Sequence, residues 1–176
     1  FKVNKLFVHR CELVNGEIEI GSTVHACIDK ERRGQIKVHH TSAHLLQSAL
    51  QHVLSGDVHQ AGSQVEEDRM RFDFTFDRAM TDKEIQKAED LMNEWISEDI
   101  DVTTKIMNID EARQTGAMAL FGEKYEDEVR VVSIGDISKE FCAGCHASRT
   151  GQLRLAKIVS ESAIAAGTRR IEVVVA

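Results

Sequence analysis

Hydrophobic positions recur along the chain with two different periods, and each period predicts a different kind of element. Apolar residues repeat at helical spacing over residues 41–54 and 85–96, which predicts two amphipathic helices. Thr81 and Glu84 form a capping box ahead of the second helix. A short third helix is predicted over residues 110–115.

Strict alternation of apolar and polar residues over 70–76 predicts a strand with one buried face. Similar but shorter patterns predict further strands over residues 3–9, 17–20, 23–28, 102–106, 129–134, 155–161 and 169–175. Strands and helices mix without the regular alternation of a doubly wound sheet. We therefore predict an α+β protein with a mainly antiparallel sheet packed with two main helices. A partial N-terminal β subdomain (residues 1–36) is expected to precede the main domain (residues 37–176).

Composition and charge narrow the class of protein. The chain has 176 residues, of which 42% are hydrophobic, enough to bury a core without disulfides. A net charge of −7 argues against indiscriminate coating of nucleic acid but is compatible with a local basic patch. Four cysteines are too few for a disulfide scaffold in a chain this long, so a reducing cytoplasm fits best. No apolar run is long enough to span a membrane, and no membrane partner is expected.

Two pairs of metal-binding side chains, distant in sequence, predict one shared site. His40 and His44 lie four residues apart at the start of the first helix, which places both imidazoles on one face. Cys142 and His146 repeat that spacing, with Gly144 allowing a tight turn between them. Three imidazoles and one thiolate suit tetrahedral Zn²⁺. The alternative is a buried cysteine among surface histidines.

Other classes of site do not fit these residues. Thr41 follows His40 where a thermolysin-like protease requires glutamate. Cys142 and Cys145 form a Cys-x-x-Cys, but without the strand and helix that flank a redox dithiol. The chain also lacks the His-x-Glu and Pro-Cys-x-x-Cys signature of zinc nucleotide deaminases.

Several motifs, in order over nearly the whole chain, resemble the editing domain of alanyl-tRNA synthetase. They are His-Thr-Ser-Ala-His-Leu-Leu from His40, Gln-Ala-Gly-Ser from Gln60, Arg-Phe-Asp-Phe at 71–74, Gly-Ala-Met-Ala-Leu-Phe-Gly-Glu-Lys at 116–124, Cys-Ala-Gly-Cys-His-Ala-Ser-Arg-Thr-Gly from Cys142 and Ala-Gly-Thr-Arg-Arg-Ile-Glu from Ala166. Threonyl-tRNA synthetase has a related editing fold with a similar His/Cys quartet. The 116–124 block and the Arg-Arg-Ile-Glu ending, however, are similar to the alanyl branch. The chain is also similar to free-standing alanyl-tRNA editing proteins.

The resemblance implies a deacylase that removes serine or glycine from the 3′ adenosine of mischarged tRNA(Ala). It further implies a fragment of a cytoplasmic, ATP-binding alanine–tRNA ligase, with the acceptor end of the tRNA and the rest of the synthetase as partners. Such a site is needed because a small apolar pocket cannot exclude glycine and rejects an added hydroxyl only weakly. By motif position, the zinc ligands are His40, His44, Cys142 and His146.

The resemblance also assigns the surroundings of the zinc. Gln60 matches a position of the editing pocket and is a catalytic and substrate-binding candidate, and Thr41 is a second catalytic candidate. Ser42, Ala43, Gly144 and Cys145 are the other expected substrate-binding residues. The family often has threonine at position 43, so Thr41 or Ser42 would have to supply the hydroxyl that reads serine. Cys145 stands where threonine is common in bacterial relatives, and it either lines the pocket or touches the metal.

Basic residues supply two candidate tRNA contacts. Arg149, Arg169 and Arg170 are expected to hold acceptor-stem phosphates, and Arg32, Arg33 and Lys37 form a second patch. Zinc with four protein ligands is saturated, so we expect it to orient the substrate while a water attacks the ester; no carboxylate stands out as a general base. Three alternatives stay open: a free-standing trans-editing deacylase, a zinc-stabilised tRNA-binding module that cleaves nothing, and a structural zinc protein with no RNA role.

Overall fold

The computed structural model describes residues 2–3, 6–54, 58–119 and 125–176. These residues contain three α-helices: α1 (Lys30–Leu54), α2 (Asp82–Ser97) and α3 (Ile109–Gln114), with a 3-10 helix at Thr150–Leu153. The strands are β1 (Lys2–Val3), β2 (Leu6–Phe7), β3 (Gln60–Val65), β4 (Met70–Thr75), β5 (Val102–Asn108), β6 (Glu128–Ile134), β7 (Ser138–Phe141), β8 (Ala156–Ala165) and β9 (Thr168–Val175).

The strands form antiparallel sheets, which confirms the predicted α+β class. The larger sheet has the order β3-β4-β9-β8, and the second has the order β5-β6-β7. Among the described strands, β1 and β2 pair only with each other. None of the helices among the described residues is both long and apolar enough to cross a membrane.

The main core lies between α1, α2 and the four-stranded sheet. Alternation along β4 turns Phe72 and Phe74 inward, where neither side chain is accessible to solvent. They join Leu45 and Leu46 of α1 and Met92 of α2 in one buried cluster. The two helices predicted from their apolar stripes are therefore confirmed as the elements that cover the sheet.

The start of the first helix differs from the prediction. α1 begins at Lys30, eleven residues before the predicted Thr41, because the Asp29 carboxylate accepts from the Arg32 backbone N–H (3.0 Å) and caps the helix. The polar residues that follow Asp29 are good helix formers, although they carry little apolar periodicity. The predicted domain boundary at residue 36 falls inside this helix, and the division into two domains stays a prediction.

Two of the predicted N-terminal strands are wrong. Residues 17–20 and 23–28 form no strand, and their apolar side chains are exposed, Ile20 completely so. Only the short β1 and β2 occupy the predicted 3–9 strand. Alternation specifies a strand only where another surface buries its apolar face, and these described segments have no such surface. The end of the Gly116–Lys124 motif lies outside the described residues.

Candidate metal centre and adjoining cavity

The four predicted metal ligands come together between α1 and the loop after β7. One ligand atom from each of His40, His44, Cys142 and His146 lies within 4.8 Å of all the others. The Cys142 Sγ is 3.2 Å from the Nε2 atom of His146 and 3.6 Å from that of His40. The predicted convergence of the two sequence pairs is confirmed, and the cluster could hold a metal ion.

The loop that carries Cys142 is shaped by glycine and held by arginine. The Gly144 N–H donates to the Cys142 Sγ (3.4 Å), and a Cβ at position 144 would overlap the His40 imidazole. The Arg130 guanidinium donates 2.7 Å hydrogen bonds to the carbonyls of both Cys142 and Gly144. Arg130 lies on β6, and its role depends on the pairing of β6 with β7, which the sequence motif does not reveal.

The protonation states of Cys142 and His146 favour metal ligation. Burial raises the pKa of the Cys142 thiol, but hydrogen bonds with the three imidazoles outweigh this and set the pKa at about 3. Burial also lowers the pKa of His146. A thiolate and a neutral imidazole are the forms that bind metals, and a donor set of three imidazoles and one thiolate is typical of tetrahedral Zn²⁺.

A buried carboxylate contacts the cluster. Glu140 Oε1 lies 3.2 Å from His44 Nδ1, close enough for an ion pair although not aligned as a hydrogen bond. Burial lowers the pKa of His44, but Glu140 and Cys142 raise it by more, to about 9. The Ser138 hydroxyl also donates to Glu140 Oε1 (2.7 Å). The sequence patterns do not single out Glu140; the available signal is its position two residues before Cys142, on the same side of an extended segment.

Thr41 contacts the cluster residue His146 at Nδ1, the ring nitrogen that faces away from Cys142. Its fully buried hydroxyl donates to the Lys37 carbonyl (2.9 Å) and accepts from the Ala147 N–H (3.0 Å). The same oxygen lies 3.3 Å from His146 Nδ1. Since its only hydrogen goes to Lys37, Thr41 accepts from His146 Nδ1–H, and this leaves Nε2 of His146 as the ligand atom.

A cavity of about 760 Å³ adjoins the metal centre through Glu140. Its described lining is Gln47, His59, Gln60, Ala61, Thr75, Met118, Ala119, Glu140 and Phe141. This volume is within the range of small-molecule sites. Gln60 thus lies at the cavity, as the predicted pocket requires, with its amide donating to the Ser63 hydroxyl (3.0 Å).

Other predicted pocket residues lie elsewhere. Thr41, Ser42 and Ala43 are buried in α1, and the Ser42 hydroxyl donates to the His39 carbonyl (2.7 Å). Cys145 is exposed, receives a hydrogen bond from Arg33 (3.4 Å), and is not part of the four-ligand cluster. Neither Gly144 nor Cys145 is among the described residues that line the cavity.

The three arginines predicted to contact tRNA are each held by acids of the chain. Arg149 pairs with Asp99 (2.7 Å) and with Asp101. Arg169 makes two hydrogen bonds to Glu161 (2.6 and 2.7 Å). Arg170 likewise makes two to Asp73 (2.7 and 2.9 Å). Their contact with tRNA stays a prediction.

Comparison with known proteins agrees with the motifs. Residues 129–172 match the family model described as "Threonyl and Alanyl tRNA synthetase second additional domain". This match covers β6, β7, the Cys142–His146 loop and most of the β8–β9 hairpin.

Similar proteins extend the match to the whole chain. The chloroplastic/mitochondrial alanine–tRNA ligase of Arabidopsis thaliana is 47% identical over 171 residues, which is 97% of this chain and 18% of the relative. That of Oryza sativa subsp. indica is 44% identical over 172 residues (98% and 17%). The alanine–tRNA ligase of Legionella pneumophila (strain Corby) is 47% identical over 173 residues (98% and 20%). The chain thus spans about a fifth of the length of these relatives. These matches confirm the resemblance to alanyl-tRNA synthetase: residues 129–172 match the model of the second additional domain of threonyl and alanyl tRNA synthetases, and the chain is similar over nearly its whole length to a segment of alanine–tRNA ligases.

Proposed function

We propose that the chain hydrolyses mischarged tRNA(Ala), releasing serine or glycine from the 3′ adenosine, as the editing part of an alanine–tRNA ligase. The observation that supports this most is the contact between the His/Cys cluster and the cavity. His44 belongs to the cluster, and Glu140, which contacts it, lines the cavity. A metal held by the cluster would therefore act beside a space large enough for an aminoacyl ester.

The chain's own residues account for binding of the aminoacyl end. Glu140 presents a buried negative charge at the cavity, which suits the α-ammonium group shared by all aminoacyl esters. Phe141 and Met118 supply apolar wall. Gln60, with one amide hydrogen committed to Ser63, is a further polar contact for the substrate.

Hydrolysis needs a water directed at the ester. The water oxygen bonds to the carbonyl carbon, and the bond from that carbon to the 3′ oxygen breaks. The 3′ oxygen takes a proton that comes from the water, so the products are the free amino acid and a 3′ hydroxyl. Zn²⁺ bound by His40, His44, Cys142 and His146 would supply positive charge that orients the substrate.

A pair of cysteine variants tests the proposal. Cys142→Ala removes a cluster ligand, whereas Cys145→Ala removes an exposed thiol three residues away that is not in the cluster. Zinc content and the rate of seryl- and glycyl-tRNA(Ala) deacylation are measured for both. We expect Cys142→Ala to lose zinc and at least tenfold in rate, and Cys145→Ala to keep both.

Two outcomes would contradict the proposal. Undiminished hydrolysis by Cys142→Ala without bound zinc would overturn the zinc-dependent mechanism. A wild-type chain that retards mischarged tRNA on a gel but releases no amino acid would instead identify a tRNA-binding module.

A further inference from the structure

One buried acceptor in the cavity wall has no partner among the residues that the structure describes. Gln47 lies on α1 three residues after His44, lines the cavity and is only 4% exposed. Its Nε2 donates to the Val58 carbonyl (2.9 Å). Its Oε1 is buried and accepts no hydrogen bond from any described residue.

The chemistry of Val58 fixes which amide atom is unpaired. A backbone carbonyl can only accept, so the atom of Gln47 beside the Val58 oxygen must be the NH₂ group. The other atom is therefore the carbonyl oxygen. A buried acceptor without a donor costs free energy, so a ligand with an O–H or N–H donor is the natural partner for Oε1.

We propose that Gln47 Oε1 accepts a hydrogen bond from the side-chain hydroxyl of serine in the bound ester and so determines specificity. This inference rests on the proposed function. The two hydroxyls expected to read serine are committed elsewhere: Thr41 donates to the Lys37 carbonyl and Ser42 to the His39 carbonyl. Gln47 offers a polar atom that is still available.

The charges in the cavity assign the α-ammonium group and the side-chain hydroxyl of a seryl ester to different partners. The cationic ammonium group pairs with the Glu140 carboxylate, since a full charge is best met by an opposite charge. The neutral amide oxygen of Gln47 is then left for the neutral hydroxyl. An alanyl or a glycyl ester has no hydroxyl there to donate to Oε1, so Gln47 favours the seryl ester over both.

Gln47→Met tests the assignment because methionine has a similar length but no carbonyl oxygen. Gln51→Met is the matched control: Gln51 is one turn further along α1 and also donates to the Val58 carbonyl (3.2 Å), but it is not among the described lining residues. We expect Gln47→Met to lower kcat/KM for seryl-tRNA(Ala) about 10- to 100-fold, with glycyl-tRNA(Ala) within about twofold of wild type. Gln51→Met should leave the ratio of the two substrates unchanged.

Binding provides a second readout. Non-hydrolysable seryl and glycyl amides of 3′-amino-3′-deoxyadenosine are titrated against zinc-loaded protein by calorimetry. The wild type should prefer the seryl amide, and Gln47→Met should lose that preference. If Gln47→Met does not fold by circular dichroism, Gln47→Asn, which withdraws the same group by one methylene, should give the same selective loss.

The outcomes separate this inference from the proposed function. If the wild type hydrolyses both esters and Gln47→Met lowers both equally, or lowers neither, the assignment of Gln47 is overturned while the editing function stands. If the wild type hydrolyses neither ester, the editing function is overturned. In that case an unchanged seryl preference of Gln47→Met in the binding assay would overturn the assignment as well.

Discussion

Replacing Thr41 with valine should weaken zinc binding although residue 41 is not a ligand. Valine has nearly the same shape as threonine but lacks the hydroxyl. Without it, His146 Nδ1–H and the buried Ala147 N–H both lose their acceptor. The His146 ring is then free to rotate or to change tautomer, and Nε2 is no longer held toward Cys142.

The magnitude follows from the two lost partners. A buried donor left unpaired costs about 1–3 kcal/mol, so Thr41→Val should lower the free energy of unfolding of the zinc-free protein by about 1–3 kcal/mol for Ala147 alone. Loss of a group that orients a ligand typically weakens metal binding about 10- to 100-fold. Such a change removes about a further 1.4–2.8 kcal/mol from the zinc-loaded protein, since each factor of ten is worth about 1.4 kcal/mol.

Ser42→Ala is the matched control. Ser42 is the next residue, is equally buried, and donates to a helix carbonyl, but it contacts no ligand. Zinc affinity is measured by competition with a chromophoric chelator, and stability by urea unfolding with and without zinc. Ser42→Ala should lose about 0.5–1.5 kcal/mol in both states, with unchanged affinity. Wild-type zinc affinity in Thr41→Val, together with equal destabilisation of both states, would refute the reasoning and leave Thr41 a purely structural residue.

Two further predictions concern the loop and the helix of the metal centre. Gly144→Ala should abolish zinc binding, as measured by chelator competition, because the new Cβ would displace the His40 imidazole; tight zinc binding by this variant would contradict the geometry. Gly34→Ala lies at an exposed and uncrowded helix position and should raise the free energy of unfolding, measured in urea, by about 0.5–1 kcal/mol. Arg130→Met should weaken zinc binding about tenfold, because the carbonyls of Cys142 and Gly144 lose their hydrogen-bond donor. Circular dichroism checks that the variant folds. Unchanged zinc affinity would show that Arg130 does not hold the metal-binding loop in place.

The metal cluster could be predicted from the sequence because each half is local. His40 and His44 share a helix face through their spacing alone, and Cys142 and His146 lie on one short loop. The chemistry of the four side chains then suggests that the halves meet. By contrast, Arg130 acts on this loop only because β6 pairs with β7, a register that no local pattern specifies.

The cavity could be predicted only in part for the same reason. A family motif identifies Gln60, whereas Glu140 and Gln47 look like ordinary polar residues in the sequence. Their significance arises from burial beside the cluster and from an acceptor left without a donor. The N-terminal strands show the opposite case: residues 17–28 have an alternating pattern in the sequence, but they form no strand because no described surface covers their apolar side chains.

The contact between His44 and Glu140 has a consequence for how the two halves of the site work together. A metal at the cluster would fix the position of the His44 ring, whose Nδ1 lies 3.2 Å from Glu140 Oε1, and Ser138 restrains the same oxygen. Glu140 in turn forms part of the cavity wall together with Gln47. The metal would thus order a charged wall of the cavity even if it never touched the substrate. Loss of zinc should therefore impair binding of an aminoacyl group as well as its hydrolysis.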